Sequence, residues 1–82
     1  MENKYCRMEI DHINDIDEFL NMVDSCSQPI YMDDADFSYD LRSDRVARRV
    51  MRSVCGRNWK GLLSLHVGRT DMGSVVNYMM GQ

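Results

Sequence analysis

The segment from Arg45 to Val54 constrains this chain more than any other. At roughly 100° per residue, Arg45, Arg48, Arg49 and Arg52 fall on one stripe of a helix, while Val46, Ala47, Val50, Met51 and Val54 fill the opposite side. A helix divided in this way docks its apolar face on a layer and presents its arginines to water. The rest of the chain has to supply that layer.

The pattern elsewhere supplies it. Cys6, Met8 and Ile10 alternate with Arg7 and Glu9, the period of a half-buried strand over residues 5–10. Asn14 is a candidate N-cap for a helix over 15–26, with Asp15, Asp17 and Glu18 at the positive end of its dipole. Ile16, Phe19, Leu20 and Val23 form its apolar stripe. Pro29 ends that helix and starts an extended run in which Ile30 and Met32 share a face. The Asp33, Asp34, Ala35, Asp36 cluster reads as a turn, and Phe37, Tyr39 and Leu41 alternate after it, so a hairpin is expected. Ser43 caps the arginine helix, which Gly56 ends in a position favouring left-handed backbone. Leu63, Leu65 and Val67 line a fourth strand. Thr70 then caps a last helix bearing Met72, Val75, Val76 and Met79, which Gly73 weakens by up to ~1 kcal/mol.

The expected order is βαββαβα. Three amphipathic helices can bury their stripes only against one face of a four-stranded, mainly antiparallel sheet, so the fold class is α+β, an open-faced two-layer sandwich. With 82 residues the chain is one domain spanning 1–82, burying roughly 60–65% of its unfolded surface around a small core. No cofactor-sized cavity is expected, and no cofactor. Met22, Met51, Met72 and Met79, on the helix stripes, read as adaptable core.

Charge is segregated along the chain, which a net charge of -3 conceals. From Glu9 to Asp40 there are ten acids and no Lys or Arg; from Arg42 to Lys60 there are seven basic residues against Asp44 alone. Three outcomes follow from this asymmetry: mutual screening, self-association in which an acidic helix of one copy meets the basic helix of another, or capture of an anionic partner by Arg45, Arg48, Arg49 and Arg52. For nucleic acid, Arg42, Arg57 and Lys60 would add charge and Trp59 a stacking surface, but the pI near 5.1 opposes it.

Cys6, Cys26 and Cys55 are odd in number, widely spaced and on apolar sides, the behaviour of buried free thiols in a cytoplasmic protein. No clustered Cys or His offers a metal site. Met1 to Arg7 lack a signal peptide's apolar region and no stretch approaches the ~18 apolar residues of a spanning helix, so no membrane association is expected. Two histidines do not build a Ser, His and Asp arrangement, and Gly56, Gly61 and Gly68 are spaced as turn residues rather than as a phosphate loop. An enzyme is not expected. His66 shares a strand face with Leu62 and Ser64 on the open side of the sheet.

In order and length the chain resembles the histidine-containing phosphocarrier (HPr-like) family of the bacterial sugar phosphotransferase system. That resemblance places a phosphorylatable His just ahead of the first helix, seven residues before an aromatic or apolar anchor; His12 precedes Phe19 by seven. It also places a regulatory Ser after a basic residue at the start of the second helix, where Arg42 and Ser43 stand. The family follows its His with Arg and Pro, the guanidinium holding the transferred group; this chain has Ile13, Asn14 and Asp15. Phosphoryl transfer is mostly positioning and charge stabilisation, and Asp11, Asp15 and Asp17 around His12 oppose an anionic donor. The resemblance therefore implies a degenerate phosphocarrier acting through contact with a protein partner.

Overall fold

The computed structural model describes residues 4–34 and 36–82. The order is β1 (Tyr5–Asp15), α1 (Ile16–Ser25), β2 (Tyr31–Asp34), β3 (Phe37–Asp40), α2 (Arg45–Cys55), β4 (Arg57–Gly68), a 3-10 turn (Arg69–Asp71) and α3 (Met72–Gly81). The four strands form one antiparallel sheet in the order β1-β4-β2-β3. This is the α+β sandwich of βαββαβα order expected from the periodicity.

Directly opposed residues share a face of a sheet, so the register sorts the side chains. Cys6, Met8 and Ile10 oppose Val67, Leu65 and Leu63, and Met32 opposes both Leu65 and Tyr39. This is the helix-facing side. Tyr5, Arg7, Tyr31, Asp33, Ser64 and His66 occupy the open side. The core is closed by Ile16, Phe19, Leu20 and Val23 of α1, with Ile10, Ile13, Ile30, Leu41, Leu65, Val67 and Val75 also buried.

Several boundaries differ from expectation, each for a local reason. β1 continues past Ile10 to Asp15, with a register shift between Ile10 and His12, because β4, one residue longer, keeps pairing with it. His12, Ile13 and Asn14 are therefore strand, not loop. The cap of α1 is Asp15, whose carboxylate accepts from the Asp17 N–H at 2.9 Å. The cap of α2 is Asp44, not Ser43: its carboxylate accepts from the Ala47 N–H at 3.0 Å, while the Ser43 hydroxyl donates to Asp40 at 2.9 Å. Thr70 does not cap α3; the 3-10 turn intervenes and Asp71 stands at the cap without a capping bond. Ala35 of the expected Asp33, Asp34, Ala35, Asp36 turn lies outside the described residues, and Asp33 and Asp34 belong to β2.

Gly56 does end α2 with φ +51°, as its position implied. Gly61 is not a turn residue. It lies within β4 beneath the Trp59 indole, where an added Cβ would stand 2.5 Å from the ring.

The largest departure concerns α2. Its buried residues are Ala47, Met51 and Cys55, whereas Val46, Val50 and Val54 are 69%, 53% and 65% exposed. Both triplets follow an i, i+4, i+8 spacing, so both make a ridge along the helix. The helix is rolled so that Ala47, Met51 and Cys55 meet the core and one valine ridge faces solvent.

Asp71 locks the junction below α3. Its buried carboxylate accepts from the Ser27 N–H, the Gln28 N–H and the Ser27 hydroxyl at 2.9, 2.9 and 3.0 Å. Burial alone raises a carboxyl pKa, but these bonds and the Arg42 charge hold it below its ordinary value.

Candidate functional site

His12 lies on β1 opposite Lys60. Its Nδ1 is 2.8 Å from Asp11 Oδ1, and hydrogen bonding to the imidazole holds the Asp11 carboxyl below its ordinary range. Its carbonyl accepts from Gln82 Nε2 at 3.2 Å, and the Gln82 Oε1 in turn accepts from the Asn14 N–H at 2.7 Å and the Tyr78 hydroxyl at 3.0 Å. Tyr78 packs edge-on against Phe19, and burial, with Glu18 and Asp15 nearby, pushes its phenol up to about 12. The immediate surroundings of His12 are thus a carboxylate and an amide, and no guanidinium bonds to it among the described residues. Ser43, just ahead of the Asp44 cap of α2, is exposed and held by Asp40.

The four arginines of α2 divide into two pairs. Arg48, whose side chain is only 16% exposed, binds Asp24 through both terminal nitrogens at 2.6 and 3.0 Å and the Leu41 carbonyl at 3.1 Å. The guanidinium holds the Asp24 carboxyl below its ordinary value. Arg52 Nε stands 3.2 Å from Asp17 Oδ1. Arg45 and Arg49 are exposed and make no ion pair among the described residues. The acidic first helix and the basic second helix thus meet within one chain, at Asp17 and Asp24. Two of the four guanidiniums proposed for an anionic ligand are already neutralised there. Arg42, counted with that surface from sequence, instead turns inward to bond the Cys26 carbonyl.

The cysteines are unpaired. Burial pushes the thiols of Cys26 and Cys55 up, which suppresses the thiolate. Among the described residues no group of three His, Cys, Asp or Glu side chains is placed to hold a metal ion, and no helix is long and apolar enough to cross a membrane.

Two features went unseen in the sequence. On the open face His66 Nδ1 lies 2.6 Å from Asp33 Oδ2, beside a depression of about 500 Å³ lined by Arg7, Asp33, Asp36, Phe37, Ser38 and Ser64. The signal was available as alternation, since Tyr31 with Asp33 and Ser64 with His66 are each two residues apart. Reading the aspartates as a turn hid it. On the helical side, a trough of about 200 Å³ runs beside α2, lined by Met32, Tyr39, Asp44, Val46, Ala47 and Val50. Phe37, 66% exposed, stands on the same side of β3 as Tyr39, their ring centroids 6.3 Å apart.

No protein-family model, curated protein or solved structure matches this chain.

Proposed function

We propose that this chain is a small HPr-like protein of the cytoplasm, a degenerate phosphocarrier that acts through protein contact or regulation rather than through efficient phosphotransfer. The observation that carries this reading is the setting of His12. The imidazole is in register with the family's acceptor, seven residues ahead of Phe19, yet its ring nitrogen is engaged by Asp11 and the chain after it supplies Asp15 and Asp17 instead of an arginine. A phosphoryl group arriving there meets like charge. The exposed Val46, Val50 and Val54 support the contact half of the proposal, because an apolar ridge left in water is the kind of surface a protein partner covers.

Incubation with phosphoenolpyruvate and the general phosphotransferase enzyme tests it. The expected result is no acid-labile phosphate on the protein. A label that disappears in His12→Ala would establish a working carrier and remove the degenerate reading. An anion or nucleic acid bound by the arginine-striped helix is the competing reading, disfavoured because Arg48 and Arg52 are paired with Asp24 and Asp17.

A further inference from the structure

The helical layer stops short over β2 and β3. The principal packing is α1 on β1, α2 on β4 and α3 on α1, and among the described residues the trough beside the β2–β3 hairpin is walled by Val46, Ala47 and Val50 of α2. The floor is Met32 and Tyr39, with Asp44 at one end, and the Phe37 ring stands beside Tyr39 without lining the trough itself. We propose that this trough receives an amphipathic helix of a partner protein, apolar toward the trough and bearing carboxylates along the flank that faces α2. This inference rests on the protein-contact reading and names the class of partner.

Shape argues for a helix. The ridge Val46, Val50, Val54 has the i, i+4, i+8 spacing that interdigitates with a neighbouring helix, and helix-in-groove recognition uses such anchors. A strand added to the outer edge of β3 would lie in the plane of the sheet and leave the ridge, which stands in the helical layer, uncovered. Eleven residues of α2 span about 16 Å, room for three turns alongside.

Charge argues for carboxylates and against a second copy. Arg49 lies three residues after Val46 and four after Arg45, so both unpaired guanidiniums border the ridge on its solvent side. Their neighbours Arg48 and Arg52 have acids within the chain; among the described residues these two make no ion pair. A two-fold pairing of α2 with α2 about Val50 would bring Arg49 close to its own copy, and of the α1 acids Asp17 and Asp24 are already engaged within the chain, which leaves Glu18 alone to offer across an interface.

The probes are a helical peptide of about 18 residues, long enough to hold helix in water, with Leu at i, i+3, i+4, i+7 and Glu along one flank, and its counterpart with Lys there. Binding to the full chain is followed by amide chemical shifts. The Glu peptide is expected to perturb residues 46–54 together with Met32, Phe37 and Tyr39, and to bind about tenfold or more tightly than the Lys peptide. Val50→Glu should weaken it by a similar factor with the melting curve unchanged, since Val50 is solvent-exposed, and Arg49→Glu should reverse the preference toward the Lys peptide. Absence of binding, equal binding of both peptides, or indifference to Val50→Glu would overturn the proposal. So would new exchange protection at Ser38, which marks strand addition, or a dimer of the peptide-free protein that Val50→Glu dissociates, which makes the occupant a second copy. Phosphate on His12 would overturn the function proposed above without touching these results, and peptide failure with an unlabelled His12 would remove the trough alone.

Discussion

The two ends of the sheet are finished differently. At the β1 end, α1 and α3 close over Ile10, Ile13 and Val75, Tyr78 packs on Phe19, and the Gln82 amide bonds the strand's free edge at His12 and Asn14. At the other end β3 is the edge strand, no helix beyond α2 covers it among the described residues, and Phe37, Val46, Val50 and Val54 remain in water. Apolar residues of the same kind are thus core at one end and surface at the other. Composition and periodicity do not separate these roles; the position of the last helix over the sheet does.

Truncation should expose that difference most strongly. Phe19→Ala leaves a cavity in the closed end and should lower the unfolding free energy by about 3–5 kcal/mol. Val50→Ala, at a site already hydrated, should change it by less than about 0.5 kcal/mol. Urea denaturation measures both. Comparable losses would mean that the valine ridge is packed in solution and that the two ends are alike.

Asp71 fastens the closed end from below, and its effect depends on pH. Asp71→Ala strands the Ser27 and Gln28 N–H groups and should cost about 2–3 kcal/mol. The folded carboxyl sits below its ordinary value, so its contribution is full above the unfolded aspartate range and is lost as pH falls through the lowered folded value. Unfolding curves at descending pH should show this loss in the native chain and its reduction in Asp71→Asn. An unchanged acid profile would separate Asp71 from the stability of this junction.

The legible parts of the fold were those carried by period. The α1 stripe of Ile16, Phe19, Leu20 and Val23, the alternation of Cys6, Met8 and Ile10, and the Gly56 stop were readable because one residue's neighbours along the chain decide them. Asp15 and Asp44 were missed as caps because an acceptable cap, Asn14 or Ser43, precedes each by one residue, and the choice is made by where the preceding strand or turn ends. The Asp33 and His66 pair depends on β2 lying beside β4, a contact across more than thirty residues. The α2 face was misread because four positions in eleven are valine or methionine and only tertiary packing decides which apolar triplet is buried. Small Ala47 and Cys55 facing the core allow α2 a close approach, and the branched valines are left outside.

The division among the α2 arginines is a smaller contrast of the same sort. Arg48→Ala breaks a bidentate pair with Asp24 and a bond to the Leu41 carbonyl, and should cost about 1–2 kcal/mol. Arg49→Ala should lie within about 0.5 kcal/mol of the native chain. Thermal unfolding at low and high salt distinguishes them, because the Arg48 effect is mostly shielded from solvent and should persist. If Arg49 matters equally, it has a partner in the free protein, and the trough loses its charge argument.

The finest test compares the two strand edges directly. The Leu41 N–H bonds the Ile30 carbonyl at 2.9 Å, and antiparallel pairs alternate between bonded and unbonded, so Tyr39 turns its N–H toward β2 and Ser38 turns its own outward. Asn14 is the corresponding outward group on β1, but it is satisfied by the Gln82 side chain. Hydrogen exchange should therefore find Asn14 protected and Ser38 fast in the native chain. Gln82→Ala should bring Asn14 to the rate of Ser38 while lowering global stability by only about 0.5–1 kcal/mol. A still-protected Asn14 would show that α3, rather than one amide side chain, shields that edge, and would make the contrast between the ends a matter of helix coverage alone.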